Sequence, residues 1–416
     1  MGATTATQTK KTLVMRTVAV RNEDIVPEAA TGDGAAGDAT AGGLSRSTPT
    51  AAPEASTSLS SRLVPSPAQV SSMPPAQASA TPIVVRPEAR PAGPQGRLQA
   101  LGAVLFLGLM GSSLYLVIAS ALYIVIGFGV LGHRICPSIL LGVWVGQALI
   151  SVKVLHQDPE GIKRSWLFRE MVNFFDVTLV MEQKLDTSKK YLFAQHPHGI
   201  LPLAPVLSAY FVSDVVPGGG KIFCLIHSGI FHLPIVRFFM GEWGALSANK
   251  ESVAEAKQQG QHCSIVVGGV AEIFLQNGET EQLQLRKGFI REALRNGYDL
   301  VPMFHFGATR MYHFVGPVSF WRSLSNYLPF PFFLIGGWGK GLTLLPKPVR
   351  IVIAVGSPIG LAALYGVPEG QSVPDPDLAK VDLIYEEWKK HLAGLYYRQR
   401  PEWETRELEI LDCPKS

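Results

Sequence analysis

The sequence predicts an α/β domain around a mixed, mostly parallel sheet with flanking helices, preceded by a hydrophobic membrane hairpin and a disordered N-terminal region. Three observations lead to this prediction. Short β-rich runs alternate with helical patterns from about residue 154 onward. Two long uncharged runs precede that alternation, and a stretch of small and polar residues precedes both. The predicted divisions are therefore 1–97, 98–153 and 154–416.

The first segment, residues 1–97, is rich in Ala, Pro, Ser and Thr. Such a composition buries too little apolar surface to offset the entropy lost on ordering, which predicts disorder. It lacks the early apolar core of a secretory signal, and the acidic Glu23 and Asp24 are untypical of a transit peptide.

The second segment is the most apolar part of the chain. Residues 98–132 carry no charge, and after a two-residue polar corner a second uncharged run continues to Lys153. Because a membrane span needs roughly 20 apolar residues, we expect two spans, about 100–130 and 136–152, or one deeply inserted hairpin. One tilted helix with an interfacial helix is the alternative. Positive residues flank both ends, which predicts a multi-pass protein with both termini in the cytosol.

Composition narrows the class of function. The chain is 47% hydrophobic and 17% charged, with a formal net charge of +4. This small net charge gives no footprint for nucleic acid. The four cysteines are scattered without a CxxC pair, which argues against a disulfide scaffold or a cysteine-rich zinc site. We expect a membrane-associated protein whose folded domain, residues 154–416, faces the cytosol.

Within that domain, strands and helices are predicted from β-branched runs and from capping residues. Asn249 is a predicted helix N-cap, and Gly260 and Gly297 are predicted helix terminators. The predicted strands are 189–195, 221–226, 262–269, 299–307 and 349–356. The predicted helices are 199–211, 249–260, 286–297 and 375–399.

Two histidines lie where the first of these strands meets the following helix. His196 and His198 are separated by Pro197, which fixes its own φ, and are followed by Gly199, which lets the backbone turn or approach a substrate. In open α/β sheets, ligands bind at the carboxyl ends of strands. A histidine at this place can act as a general base near neutral pH.

A metal site is the alternative interpretation of the same histidines, because an H-x-H pair can present two ligands. No further histidine stands at a ligand-like spacing with an acidic partner, as zinc or iron would require. A serine hydrolase is disfavoured by the absence of a G-x-S-x-G elbow. A metal-dependent lipid hydrolase that uses the H-x-H pair is kept as a second possible function.

Two further clusters share the domain. Gly268 and Gly269 end a strand and are followed by Glu272, a carboxylate among apolar neighbours. Arg286 and Lys287 stand at the predicted start of a helix, where two cations and free amides favour an anion.

The stretches "YLFAQHPHGI", "IVVGGVAEIF" and "LRKGFIREALRNGYDLVPMFHFG", in this order after a hydrophobic hairpin, resemble the type 2 diacylglycerol acyltransferase family. That family also includes monoacylglycerol and wax-alcohol acyltransferases. The similarity runs from about 165 to 320 and weakens toward 360. The resemblance implies a glycerolipid-acyltransferase-like fold and an O-acyltransferase that makes triacylglycerol by moving an acyl group from acyl-CoA to diacylglycerol. Monoacylglycerol or a fatty alcohol is the alternative acceptor.

The resemblance also implies roles for the three clusters. Where wider glycerophosphate acyltransferases have an aspartate after the catalytic histidine, this chain has Leu203, so Glu272 is the predicted acid. We expect His198 to be the base, although the sequence does not separate it from His196. The predicted site comprises catalytic His198, His196 and Glu272, oxyanion or turn residues Gly199, Gly268 and Gly269, and acyl-CoA-binding Arg286, Lys287, Gly288 and Phe289.

The expected partners are acyl-CoA as co-substrate, diacylglycerol and membrane lipid, with no metal, no cofactor and no nucleic acid. A homo-oligomer is left open. The resemblance implies the endoplasmic reticulum membrane, with the lipid droplet and the plastid as other locations. A third class of function, a non-catalytic lipid-binding membrane protein, would need no histidine or glutamate at these positions.

Overall fold

The computed structural model describes most of the chain from residue 81 to 412. The described ranges are 81–130, 132, 135–149, 158–216, 218, 220–233, 236–276, 278–327, 331–339 and 344–412. The strands are β1 Ile83–Val85, β2 Thr178–Met181, β3 Tyr191–His196, β4 Ile222–Ile226, β5 Ala245–Ser247, β6 His262–Val266, β7 Thr280–Leu285, β8 Asp299–Phe306, β9 His313–Phe314, β10 Ile335–Gly336, β11 Val352–Val355 and β12 Glu407–Asp412. The α-helices are α1 Gly93–Gly129, α2 Ile135–Leu149, α3 Pro159–Arg164, α4 Trp166–Phe174, α5 Leu203–Ser208, α6 Val212–Val215, α7 Val236–Glu242, α8 Lys250–Gln258, α9 Val270–Ile273, α10 Gly288–Asn296, α11 Val318–Ser325, α12 Leu361–Tyr365 and α13 Leu378–Gln399.

The main sheet has eight strands in the order β1-β2-β11-β8-β3-β6-β4-β5. Strands β8, β3, β6, β4 and β5 run parallel to one another. Strand β11 is antiparallel to β8 and parallel to β2, and β1 is antiparallel to β2. The prediction of a mixed, mostly parallel sheet with flanking helices is therefore confirmed. The carboxyl ends of the five parallel strands lie at one edge of the sheet.

The sheet is buried on both faces, as strands connected through helices require. Along β3, Tyr191 and Phe193 pack into the core on one face, and Leu192 and Ala194 pack into the core on the other. Every residue of β3 is buried. This explains why the strand reads as a nearly continuous apolar run in the sequence.

The predicted capping residues act as expected. The Asn249 side chain accepts a hydrogen bond from the Ser252 N–H at 2.8 Å and begins α8. Gly297 adopts the left-handed conformation, with φ +62°, and ends α10. The helix predicted for 199–211 is instead divided into α5 and a 3₁₀ turn at Ala209–Phe211.

Strands β7 and β12 were not predicted from the sequence. They pair in parallel as a separate two-stranded sheet. The β7 segment "TEQLQL" alternates polar and apolar residues toward its end. Its polar residues, such as Glu281, are uncommon in strands, so the local sequence does not indicate one. Because β12 lies more than a hundred residues further on, its pairing is a tertiary contact that local patterns do not reveal.

The disordered region was predicted too far toward the C-terminus. Residues 1–80 lie outside the described residues, but Ile83–Val85 form β1 at the edge of the sheet and α1 begins at Gly93. The three β-branched residues at 83–85 pair with β2, whereas an average over 97 residues conceals so short a strand.

The apolar helix α1 is bent by 54° between Gly93–Ser113 and Tyr115–Gly129. Within the described residues no single helix is long and apolar enough to cross a membrane, whereas this bent pair passes that test together. Ala103 and Leu107 in the first half are fully buried in the core. The predicted boundary at 153/154 therefore does not separate α1 from the domain. The membrane hairpin stays a prediction.

Candidate active site

The segment from His196 to Gly199, which we call the histidine corner, begins at the last residue of β3 and lies at the carboxyl edge of the parallel strands. His196 is fully buried, and a cis peptide bond joins it to Pro197. Gly199 has φ +69°, a conformation that favours glycine, and a Cβ there would lie 3.3 Å from the Ala308 carbonyl oxygen. The close approach and the left-handed φ together explain the glycine. The corner holds the two imidazoles at different depths, because His196 is fully buried and His198 is partly exposed.

The His198 imidazole is partly exposed and has one defined hydrogen bond. Its Nδ1 lies 2.8 Å from the Gly199 carbonyl oxygen. Because a carbonyl only accepts, Nδ1 carries the hydrogen and Nε2 keeps its lone pair. Burial lowers the pKa of His198 below its usual value, opposed by the hydrogen bond to Gly199 and by the charge of Glu272. A neutral imidazole with a free Nε2 can accept a proton.

Glu272 on α9 reaches the corner from the neighbouring strand connection. Its Oε2 accepts the His198 backbone N–H at 2.7 Å, and its Oε1 accepts the Gln284 backbone N–H at 3.2 Å. The carboxylate is only 2% exposed. Its Oε1 lies 3.7 Å from the Nδ1 of His196, which is beyond a hydrogen bond. Glu272 therefore positions the backbone of the corner and does not contact the His198 ring.

The glycine pair before α9 makes room for this carboxylate. A Cβ at Gly268 would collide with the carboxyl group of Glu272. Gly269 has φ +53° and starts the single turn of α9, which returns Glu272 toward the corner. These two glycines and Gly199 were predicted as oxyanion or turn residues. Their N–H groups have no hydrogen-bond partner among the described residues.

The predicted acyl-CoA-binding residues are divided between surface and core. Arg286 is exposed and forms no ion pair with a described residue, whereas the Lys287 Nζ lies 2.5 Å from Asp382 Oδ1. Gly288 is exposed at the start of α10. Phe289 is buried, with its ring 5.2 Å from that of Trp388. Arg286 follows Gln284, whose N–H Glu272 accepts, by two residues. The Cα atoms of Arg286 and Gln284 are therefore within about 7 Å of each other.

Residues that the sequence did not assign to the site lie behind the corner. His305 on β8 is buried, and its Nε2 lies 3.0 Å from the Gln195 amide oxygen. Burial lowers the pKa of His305 to about 3, so this imidazole is neutral. The Trp388 ring on α13 lies 6.3 Å from that of His196. A histidine within an apolar strand is the only sequence signal for His305, and for Trp388 the sequence predicts only its place in the helix at 375–399.

Neither ring nitrogen of His196 has a hydrogen-bond partner among the described residues. The described part of the chain holds no group of three or more His, Cys, Asp or Glu side chains that could bind a metal ion.

Comparison with known proteins identifies the family of this chain. The family model described as diacylglycerol acyltransferase matches residues 139–408. The chain belongs to the diacylglycerol acyltransferase family. The match extends beyond the interval of 165 to 320 predicted from the motifs, and it includes most of α2 and the start of β12.

Individual members of this family are similar to the chain over most of the same region. Diacylglycerol O-acyltransferase 2 of Bos taurus is 28% identical over 271 residues, covering 60% of this chain and 72% of that protein. Diacylglycerol O-acyltransferase 2 of Dictyostelium discoideum is 30% identical, covering 60% of this chain and 78% of that protein. The human 2-acylglycerol O-acyltransferase 3 is 30% identical, covering 48% of this chain and 64% of that protein. The diacylglycerol acyltransferase family member described here is an O-acyltransferase.

Proposed function

We propose that this protein is a membrane-bound acyl-CoA:diacylglycerol O-acyltransferase that makes triacylglycerol by direct transfer, with His198 as the general base. The observation that carries the proposal is the His198 imidazole, whose Nδ1 is held by the Gly199 carbonyl oxygen at 2.8 Å. This contact leaves Nε2 as an acceptor on the more exposed of the two rings. His196 is fully buried, which favours a role in supporting the corner.

The proposed reaction has two steps. The hydroxyl oxygen of diacylglycerol attacks the thioester carbon of acyl-CoA while His198 Nε2 takes the hydroxyl proton, and a new C–O bond forms. The tetrahedral intermediate then collapses, the C–S bond breaks, and the CoA thiolate takes the proton from His198. General-base catalysis contributes about 10²–10⁴ in rate. No metal ion and no cofactor take part.

The unpartnered amides supply a place for the oxyanion of that intermediate. The N–H groups of Gly199, Gly268 and Gly269 donate to no described residue. Gly268 packs against the Glu272 carboxyl group, and Gly199 directly follows His198, whose N–H that carboxylate accepts. Each such donor contributes about 10²–10³ in rate. Because Glu272 already takes the His198 N–H, that amide is not assigned to the oxyanion.

Acyl-CoA and the lipid acceptor reach the site from different sides in this proposal. Arg286 and Lys287 interact with phosphates of CoA, with Gly288 and Phe289 shaping the start of α10. The apolar helices α1 and α2 form the membrane part and deliver diacylglycerol. We place the enzyme in the endoplasmic reticulum membrane with both termini in the cytosol.

The decisive experiment supplies labelled oleoyl-CoA to microsomes containing the full chain, with diacylglycerol, monoacylglycerol or a fatty alcohol as acceptor. Triacylglycerol formation from diacylglycerol, lost in His198→Ala and retained in the surface variant His391→Ala, is the expected result. Wild-type activity in His198→Ala would overturn the assignment of the base. A preference for monoacylglycerol or fatty alcohol would redirect the acceptor within the same family.

A chelator separates this mechanism from the metal-dependent hydrolase considered above. Because the proposed steps need no metal ion, activity should persist after treatment with EDTA. Loss of activity that added metal restores would favour the hydrolase. A product that retains the acyl group in ester linkage distinguishes transfer from hydrolysis directly.

A further inference from the structure

A cavity of about 400 Å³ is connected to the histidine corner through Gln276, one of its lining residues. It has a mixed polar lining in which three side chains are cationic and none is acidic. The lining residues are Gln276, Gly278, Thr309, Arg310, Tyr312, Lys347, Thr405 and Arg406. We call it the basic cavity. Its volume lies within the range of about 300–1,000 Å³ that is usual for small-molecule sites.

Two buried glutamates hold the arginines of the basic cavity from behind. Glu404 accepts hydrogen bonds from Arg310 at 2.8 Å and from Arg406 at 2.7 Å. Glu281 pairs with Arg406 and accepts a hydrogen bond from the Thr309 hydroxyl at 3.0 Å. Both glutamates are 2% exposed and neither lines the cavity. Guanidinium groups fixed in this way are preorganised to present their remaining N–H groups to a ligand.

The charge of this cluster favours an anion. Lys347 forms no ion pair with any residue in the described ranges and is partly exposed to the cavity. Burial raises the pKa of Glu281 to about 7, against the opposing effect of Arg406. At neutral pH the three cationic side chains that line the cavity are therefore opposed by less than two full negative charges from Glu281 and Glu404.

The basic cavity is connected to the reaction centre by a single side chain. With its amide oriented to satisfy both neighbours, Gln276 accepts a hydrogen bond from the Ile200 N–H at 2.9 Å and donates to the Thr309 carbonyl at 3.1 Å. Ile200 directly follows Gly199 in the corner, and Thr309 lines the cavity. A ligand in the cavity thus lies within two hydrogen bonds of the histidine corner.

We propose that the basic cavity binds a phosphomonoester group, with Lys347, Arg310 and Arg406 neutralising its charge. Multiple charge-assisted donors on one small cavity suit a dianionic phosphate better than a single carboxylate. Two sources share this chemistry. One is the 3′-phosphate of CoA, which rests on the proposed function, and the other is the headgroup of an anionic lipid such as phosphatidate.

Lys347 gives the cleanest test because its removal breaks no ion pair among the described residues. The full-length protein in detergent is compared with Lys347→Gln, with the charge reversal Lys347→Glu, and with the exposed control Lys250→Gln on α8. Equilibrium binding of labelled CoA and of labelled dephospho-CoA, which lacks the 3′-phosphate, is measured without acceptor. Binding to phosphatidylcholine vesicles with and without phosphatidate is measured in parallel. Thermal unfolding of each variant confirms that it is folded.

If CoA is the source, Lys347→Gln weakens CoA binding about ten- to a hundredfold and leaves dephospho-CoA binding unchanged. If lipid is the source, both nucleotides bind as in the wild type, and the preference for phosphatidate vesicles is lost. Wild-type binding of CoA and of phosphatidate vesicles by Lys347→Glu would overturn the proposal. These are binding measurements, so loss of acyl transfer in His198→Ala with CoA binding retained tests the proposed mechanism separately.

Discussion

Glu272 accepts a hydrogen bond from the backbone N–H of His198 at 2.7 Å, across 74 residues of sequence. The carboxylate thus fixes where the corner turns, while the imidazole is oriented by the neighbouring Gly199 carbonyl. The contact of Glu272, the predicted acid of the site, is thus with the main chain of the corner.

Replacing Glu272 by Gln should lower activity without unfolding the protein. The amide can accept only one of the two N–H groups that the carboxylate now accepts, and its NH₂ faces the other. A hydrogen bond to a charged group contributes about 1.5–3 kcal/mol, which corresponds to about a ten- to hundredfold loss of kcat. The measurement is kcat and KM for oleoyl-CoA in Glu272→Gln and in the exposed control Glu242→Gln. Unchanged kcat would show that the corner does not depend on the carboxylate.

Gly268→Ala should reproduce much of the Glu272 defect from a residue that has no functional group. The added Cβ collides with the Glu272 carboxyl, which must then leave the two N–H groups it accepts. Gly108→Ala in α1 is the matched control, because a Cβ there meets nothing within 4 Å. We expect loss of activity only in Gly268→Ala, measured in the same microsomal assay. Equal activity in both variants would contradict the close packing of Gly268 on Glu272.

The pH profile should report a base whose pKa is low. Burial lowers the pKa of His198 below 6.5, so the imidazole is neutral and competent at pH 7. kcat/KM should therefore be constant from pH 8 to pH 7 and fall only when the pH goes below about 6.5. Initial rates across pH 5 to 8 at subsaturating oleoyl-CoA provide the profile. An acidic limb with its midpoint above pH 7 would exclude a neutral His198 of lowered pKa as the base.

Glu281 should make the folded protein less stable as the pH rises. Its folded-state pKa of about 7 lies above the ordinary 4.5, so the folded state binds the proton more tightly. The stability gained from that proton is fully present below about pH 4.5 and is lost as the pH rises through about 7. The unfolding free energy of Glu281→Gln minus that of the wild type should therefore increase by about 1–3 kcal/mol when the pH is raised from 5 to 8.

Thermal unfolding in detergent at pH 5 and pH 8 measures this difference. The exposed Glu251→Gln on α8 is the control, and it should behave like the wild type at both pH values. An equal pH dependence in the wild type and in Glu281→Gln would show that Arg406 keeps Glu281 ionised despite its burial.

The sequence revealed the parts of the site that depend on local backbone geometry. Gly199 and the Gly268–Gly269 pair were recognised because tight turns require glycine, and Asn249 and Gly297 because helix ends leave unpaired backbone groups. Four of the five parallel strands, β3, β4, β6 and β8, were recognised as apolar runs because both faces of the sheet are buried, whereas the three-residue β5 was not predicted. In these places a residue type has few alternatives to the structure it was predicted to form.

The contacts that the sequence could not reveal join distant segments. Arg406 and Glu281 meet across more than 120 residues, and neither looks unusual in its own segment. Whether Glu272 would contact a ring or a main-chain amide depends on ångström-scale placement of α9 against the corner. The packing of α1 against the domain likewise arises from tertiary contacts, such as the ring of Phe106 lying 4.9 Å from that of Phe239.

The position of Trp388 behind His196 has a consequence for biosynthesis. The histidine strand β3 is translated almost 200 residues before this indole, and Arg406 of the basic cavity follows later still. A ribosome-bound chain that has completed β3, β6 and β8 possesses His196 and His198 but not the helix α13, whose Trp388 lies against His196. Catalytic competence should therefore arise abruptly, late in synthesis, well after the apolar helices α1 and α2 have been made.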